Sequence, residues 1–312
     1  MKCTVFGGGG FIGSTIVDRL LAEGHAVKVF ERPRVAPYRL FRAAEAVEWV
    51  TGDLSSANDV RQAVNGAEVI LHLVSTTLPK SSNDDPVYDV QSNLVSSLLI
   101  LDAMISAKTP RIVFISSGGT VYGTPRYLPI DENHPTNPRV SYGIVKLAIE
   151  KYLLLYEQLH GIKSICLRVT NPYGERQRIE TAQGAVGVFI HRALKGAPIE
   201  IWGNGTVTRD YLHVSDVAEA FLKAIQYSGP HSVFNISSGI GTSLNELTDL
   251  IGACLGTDVE KNYLPGRSFD VQTSVLSHQL AQEQLGWRPE ISMKEGVART
   301  AAWARGQLFP RS

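Results

Sequence analysis

The sequence is poor in cysteine, carries no surplus of either charge and contains no long apolar run, and each shortage removes a class of protein. Cys3, Cys166 and Cys254 are the only cysteines in 312 residues, far apart and without paired spacing. A disulfide framework or a cysteine metal site is therefore not expected, and small buried hydrophobes in a reducing compartment fit better. No cluster of His, Cys and Asp has metal-ligand spacing. Thirty acidic side chains balance thirty basic ones without forming blocks, so nothing electrostatic points to nucleic acid or to a membrane surface as partner. The apolar stretch of "MKCTVFGGGGFIG" is too short, and too cut by glycines, for a signal peptide. The best membrane candidate, "NLVSSLLILDAMISA", is interrupted by Asp102 and falls short of the ~20 residues a spanning helix needs. The expectation is a soluble cytoplasmic protein. At 44% hydrophobic and 19% charged residues, the chain can fill one large core or two coupled ones.

What is present is a rhythm. Strand-like runs ("KCTVFG", "AVKVFER", "VEWVTGD", "AEVILHLVS", "RIVFISS", "KSICLRVT") alternate with helical ones ("GSTIVDRLLAEGH", "ANDVRQAVNG", "VQSNLVSSLLILDAMISA", "VSYGIVKLAIEKYLLLYEQLHG"). Near-continuous apolar strands between helices predict an α/β fold with a parallel sheet covered on both faces. After about residue 172 the rhythm loosens into turn-rich pieces such as "IWGNGTVTRDY", which predicts a smaller lobe over 173–312, partly interwoven with the first.

Between the first strand and the first helix, "VFGGGGFIGS" places Gly7, Gly10, Phe11, Ile12 and Gly13. Glycines there permit a tight turn and close approach of backbone, and the helix N-terminus offers N–H groups to a pyrophosphate. Glycines also make plain turns, so the motif counts only in this strand-turn-helix setting. Glu31 ends the second strand, where a carboxylate accepts both ribose hydroxyls of NAD and repels a 2′-phosphate. Arg32 and Arg34 follow at once. They are either solvated loop charges or a grip on the 2′-phosphate of NADP, and both readings stay open with NAD favoured.

Of eleven tyrosines only Tyr142 has a lysine four residues on, in "YGIVK". At that spacing Tyr142 and Lys146 share a helix face. A phenol titrates near ~10, and a cation within ~4–6 Å is expected to lower that value toward the working range of a base. The bland reading is a surface Tyr-Lys pair.

Together the glycine turn, "SSGGTVYG", "YGIVK" and "RVTNPYG", in this order, resemble an extended short-chain dehydrogenase/reductase over nearly the whole chain. Within it the resemblance is to nucleotide-sugar 4-epimerases of the UDP-glucose 4-epimerase type. It implies a Rossmann-type doubly wound parallel sheet over residues 1–172 that binds NAD, and a substrate-binding lobe over 173–312. Tyr142 would be the acid/base, and Lys146 would hold the nicotinamide ribose. Asp53 and Leu54 match an adenine-contacting pair, Leu73 and Ser75 would lie along the cofactor, and Asn93 matches a bracing asparagine. Asn171 would contact the substrate diphosphate. Arg209 and Arg267 match two phosphate-binding arginines, Tyr211 a residue beside the base, and Asp270 a nucleotide-ribose carboxylate. The bland alternatives are an Arg209–Asp210 ion pair and a loop charge at Arg267.

The implied reaction takes a proton from the sugar 4-hydroxyl and a hydride from C4, lets the keto sugar rotate, and returns both. No metal is expected. Related dehydratases carry Asp-Glu just before "VYG" and related decarboxylases a Glu, whereas Gly118, Gly119 and Thr120 stand here, which disfavours dehydration and decarboxylation. A reductase releasing NADP(H) and a non-catalytic nucleotide-binding scaffold are the rivals. The resembling epimerases also place a serine or threonine where this chain has Gly118. Ser117 swinging in, Thr120 reaching across, or Tyr142 acting alone would each replace it, and Ser117 is favoured because two glycines let the backbone bend. Ser274 matches a bulky residue that narrows the sugar pocket, so tolerance of N-acetylated hexoses is expected. A homodimer through "NLVSSLLILDAMIS" and "YGIVKLAIEKYLLLYEQL" is also implied.

Overall fold

The computed structural model describes residues 1–42, 45, 47–178, 184–266 and 271–309. Among these, the strands in chain order are β1 (Lys2–Phe6), β2 (Ala26–Glu31), β3 (Val47–Thr51), β4 (Val69–His72), β5 (Arg111–Ser117), β6 (Lys163–Val169), β7 (Asn171–Tyr173), β8 (Ile199–Trp202), β9 (Thr208–His213), β10 (Val233–Ile236), β11 (Gly241–Ser243), β12 (Lys261–Leu264) and β13 (Thr273–Ser274). The α-helices are α1 (Phe11–Ala22), α2 (Ala57–Val64), α3 (Pro86–Asp89), α4 (Ser96–Ala107), α5 (Ser141–His160), α6 (Ala185–Leu194), α7 (Val214–Gln226), α8 (Leu244–Leu255), α9 (Gln279–Leu285) and α10 (Met293–Leu308). A π-helix, Val90–Val95, joins α3 to α4.

Seven strands form one parallel sheet in the order β10-β6-β5-β4-β1-β2-β3. Its central strands are buried on both faces, as continuous apolar runs require. One core layer packs α1 and α7 on the sheet around Ile16, Val17, Val217 and Phe221. The opposite layer packs α2, α4 and α5 around Val60, Ile100, Met104, Val145 and Ile149. The order reverses between β1 and β4, and at such a switch point the carboxyl ends of the strands open a crevice for a ligand. Gly7, Glu31, Leu73 and Ser117 all stand at or just beyond strand ends on that edge.

The rest of the chain adds β11-β9-β13, with β7 also on β9, and the pair β12-β8. A separate core of Tyr173, Phe189, Ile201, Leu247 and Val297 holds them to α6, α8 and α10.

The stretch Pro86–Ala107 proves long and apolar enough to cross a membrane by length and composition, which the sequence reading had excluded at Asp102. Here only one face of it enters the core: Ile100, Leu101 and Met104 are fully buried, while Val87, Val95 and Ile105 are exposed and Asp102 accepts the Tyr156 hydroxyl of α5 at 2.8 Å.

Candidate active site

The glycine turn is built around close approach. Gly7 has φ +87°, and a Cβ on Gly13 would stand 2.0 Å from the Gly7 carbonyl oxygen, so α1 can seat under the turn only with glycine there. The first ladder bond of α1 runs from Ser14 N to Gly10 O at 2.9 Å, so the N–H groups of Phe11, Ile12 and Gly13 precede it. Glu31 Oε1 accepts the Gly9 N–H at 2.9 Å, and burial holds this carboxyl above its ordinary pKa. Arg32 and Arg34 are exposed. Gly52 N bonds to Glu31 O at 2.9 Å, which brings Asp53 beside the same edge. Asp53 is exposed, and the Ser55 N–H and hydroxyl, each 2.8 Å away, hold its carboxyl low. Leu54 is mostly core, at 7% exposure. β4 ends at His72, so Leu73 and Ser75 lie in the following loop rather than in a strand. A close-packed glycine turn, a strand-end carboxylate and a helix N-terminus fit a dinucleotide.

Lys146 and Tyr142 lie at the start of α5. Lys146 Nζ donates to Ile115 O at 2.9 Å and sits 4.7 Å from the Phe114 ring centroid and 5.5 Å from that of Tyr142. Burial pushes Lys146 down to about 7, against the pull of Asp89 and Glu150. The phenol does not behave as the sequence predicts. In the protein alone Tyr142 is pushed up to about 12, by burial and then by the negative charge of Asp89, with hydrogen bonds from Ser75 and Ser117 working the other way. Spacing reports the neighbouring cation but not the desolvation that opposes it.

Asn93 sits in the π-helix. Its Oδ1 accepts the Thr76 N–H at 2.9 Å, and its Nδ2 donates to Asp89 Oδ1 at 2.9 Å. The bracing is therefore local, between the loop after β4 and the helix.

A Cβ on Gly118 would stand 2.4 Å from Leu276 Cδ2 and 3.0 Å from Arg168 O. Leu276 is fully buried with Val121, Tyr122 and Ile130. The chain thus fills the space of the missing side chain from its far end. Gly119 faces open space, and the Thr120 hydroxyl is buried without a hydrogen-bond partner among the described residues. Gly118→Ser is expected to lose about 1–3 kcal/mol of stability through overpacking. Urea unfolding of Gly118→Ser, Leu276→Val and the double variant checks this: the double should lose less than the two singles together, and strict additivity would clear Leu276 as the obstacle.

Asn171, Arg209 and Tyr211 line one cavity of about 250 Å³, with Trp202, Val186 and Leu244 among its other walls. Asn171 Nδ2 donates to Asp210 O at 2.8 Å. Arg209 donates to the Val271 carbonyl at 2.7 Å. Its neighbour Asp210 is instead a buried acceptor for Ser238 N, Ser238 Oγ and Gly239 N, with burial pushing it up to about 6. The ion-pair alternative for Arg209–Asp210 therefore does not describe where this carboxylate bonds. Burial pushes Tyr211 up to about 12. Ser274 pairs with Arg209 in the β13–β9 ladder and is 8% exposed. Arg267 and Asp270 lie outside the described residues.

Sequence reasoning passed over the aromatic and apolar walls of this cavity, Asp89, and a buried network beneath the site. There the Arg168 guanidinium donates to both oxygens of Glu150 and to the Tyr122 hydroxyl, and Ser116 Oγ also donates to Glu150. Glu150 continues the helix face of Tyr142 and Lys146 by one more turn, so its place was legible in the spacing. Its partner on β6 was not.

With this geometry in hand, the sequence profile of the NAD dependent epimerase/dehydratase family matches residues 3–237. A UDP-glucose 4-epimerase of Mycolicibacterium smegmatis is 36% identical over 311 residues, covering 98% of this chain and 99% of that one. The crystal structure of UDP-glucose 4-epimerase with UDP-glucose from Thermotoga maritima superposes with a TM-score of 0.93 at 33% identity, covering 99% and 100% of the two chains. A UDP-N-acetylglucosamine 4-epimerase from Methanobrevibacter ruminantium, in complex with UDP-N-acetylmuramic acid, gives 0.92 at 26% identity over 98% of each chain.

Proposed function

The chain belongs to the NAD-dependent epimerase/dehydratase family, and from that premise we propose that it inverts C4 of a nucleotide-activated hexose, UDP-linked, through a transient 4-keto sugar. The observation that carries this reading is the Tyr142–Lys146–Ser117 group at the switch-point edge, with Gly118, Gly119 and Thr120 supplying no carboxylate for dehydration.

Gly7, Gly10, Phe11, Ile12 and Gly13 would hold the pyrophosphate of NAD, with Glu31 on a ribose and Asp53 and Leu54 toward the adenine. When bound, NAD supplies a reversible two-electron oxidant for the sugar carbon. Tyr142 takes the proton of the 4-hydroxyl as that carbon is oxidised and returns it to the 4-keto oxygen after the sugar has turned over, when C4 is reduced on its opposite face. Ser117 steadies the Tyr142 oxygen by a hydrogen bond, and Lys146, anchored on the Ile115 carbonyl, offers a cation beside the phenolate. Arg209 and Asn171, with Arg267, would face the substrate diphosphate, and Trp202 offers an aromatic wall to the base.

Proton NMR of UDP-glucose with purified protein tests this: UDP-galactose signals should grow to equilibrium without added cofactor. A protein that consumes NADPH on a keto sugar and leaves C4 unchanged would overturn it in favour of a reductase. Ser117→Ala should lower kcat about 10-fold or more, as loss of a hydrogen bond to a developing charge does. Unchanged turnover would move the relay to the unpartnered Thr120 hydroxyl. The small Ser274 supports acceptance of N-acetylated hexoses, checked by the same NMR assay with UDP-N-acetylglucosamine.

Exposed Ile105 on α4 and Ile144, Leu155 and Leu159 on α5 support a homodimer through these helices. Light scattering on Leu159→Asp against the unaltered protein checks it. Three free cysteines support a reducing, cytoplasmic setting.

A further inference from the structure

α5 carries Tyr142 as its second residue, yet it has no cap of its own. The residue before it is Val140, which offers no side-chain acceptor. Its first N–H groups are instead taken from a distance: Ser141 N donates to Asn83 Oδ1 at 2.9 Å, and Tyr142 N donates to Ser82 Oγ at 3.0 Å. Both acceptors belong to the segment between β4 and α3. The position of the phenol along the sheet edge therefore depends on how that segment is pinned.

The pin is Asp89, the last residue of α3, which is fully buried. Its Oδ1 accepts Thr77 Oγ1 at 2.5 Å and Asn93 Nδ2 at 2.9 Å, and its Oδ2 accepts Ser141 Oγ at 2.7 Å. One carboxylate thus ties together the loop after β4, the π-helix and the first residue of α5. The same loop carries Ser75, which reaches the Tyr142 hydroxyl. Buried acceptors with several charge-assisted donors are stiff, and removing one leaves the donors stranded.

We propose that Asp89 is a positioning residue for the Tyr142 hydroxyl, holding the loop after β4 against the uncapped start of the helix that bears it. The reading rests on Tyr142 and Lys146 as the reacting pair. Asp89 also faces both groups electrostatically. Lys146 is surrounded by Asp89 from α3, Glu150 from its own helix, His72 from β4 and Tyr142; Glu150 is itself paired with Arg168 from β6. Removing the Asp89 charge lets both Lys146 and Tyr142 give up protons at lower pH, since that charge raises both.

The test compares two variants of the NAD-bound protein. Asp89→Asn removes the charge and disorders the clamp, and kcat should fall about 10–100-fold because small misplacements of a catalytic group cost that much. KM for the nucleotide sugar should stay within about 3-fold, and the pH profile should move about one unit lower. Ser141→Ala keeps the charge and cuts only the tie to α5, so kcat should fall about 3–10-fold with the pH profile in place. In protein labelled with ¹³C-lysine, the Lys146 resonance, identified by its loss in Lys146→Met, should titrate at lower pH in Asp89→Asn than in the unaltered protein. That readout needs no turnover, so it stands even if no sugar is epimerised, an outcome that would sink the functional reading alone. Reduced thermal stability with unchanged kcat, pH profile and Lys146 titration would make Asp89 a purely structural residue and overturn the proposal.

Discussion

Tyr142→Phe is expected to lose about 10²–10⁴-fold in kcat while the purified protein keeps its NAD, the loss typical of a positioned acid/base group. Phenylalanine retains the ring that Lys146 faces at 5.5 Å and removes only the hydroxyl that meets Ser75 and Ser117. Folding and cofactor content should therefore survive, and both are measured by circular dichroism and by the nicotinamide absorbance of released cofactor. The surviving activity should also lose the limb of the pH profile that Tyr142 sets. A raised phenol pKa means that the protein without ligands holds Tyr142 as the neutral acid at pH 7. A positive charge brought close by a bound ligand would favour the phenolate, whereas further exclusion of water would oppose it. Near-normal turnover in Tyr142→Phe would remove this residue from the chemistry and leave the glycine turn as a binding site without an assigned reaction.

Arg168→Leu is expected to lose about 3–5 kcal/mol of folding stability, because it strands a buried carboxylate. The Arg168 and Glu150 side chains are 5% and 1% exposed, so water does not screen them. Burial alone would lower the guanidinium's pKa, yet the hydrogen bond and charge of Glu150 outweigh it and hold the group above its ordinary value. The loss extends through the Tyr122 hydroxyl, which accepts from Arg168 at 2.9 Å and donates to Asn235 at 2.6 Å. Urea unfolding of Arg168→Leu, Glu150→Leu and the double variant measures it. The double should be more stable than either single, since it removes both charges; a double as weak as the sum of the singles would show that the hydroxyl partners, not the charge pair, dominate.

The parts of this molecule legible in its sequence are those fixed by contacts close along the chain. Gly7, Gly10 and Gly13 stand in the strand-turn-helix that the sequence predicts, because such a unit leaves its mark within ten residues. Tyr142 and Lys146 read as neighbours because helical spacing places them on one face. Leu276 against Gly118, and Asp89 on Ser141, join distant segments and leave no periodic trace. The direction of the Tyr142 shift was missed for a related reason: a residue's neighbours can be counted along a helix, but its depth is set by the whole fold. The apolar stretch ending at Ala107 shows the same limit, since its length alone does not say whether sheet or lipid covers it. Trp202 and Val186 became visible as cavity walls only once β8 and α6 were placed.

The seventh strand of the main sheet has a bearing on how such chains diversify. β10 is Val233–Ile236, and it closes the edge of β6 by pairing with Cys166 through Val169. α7, also from beyond residue 172, packs on α1. A ribosome therefore releases six strands of the sheet without their last strand and one covering helix until more than sixty further residues have emerged, with an apolar edge open to other chains meanwhile. Exchanging the chain beyond residue 172 between relatives by a single crossover would carry a strand and a covering helix of the main sheet with it. Exchange of short segments, such as β8 with its Trp202 or α6, respects the weave.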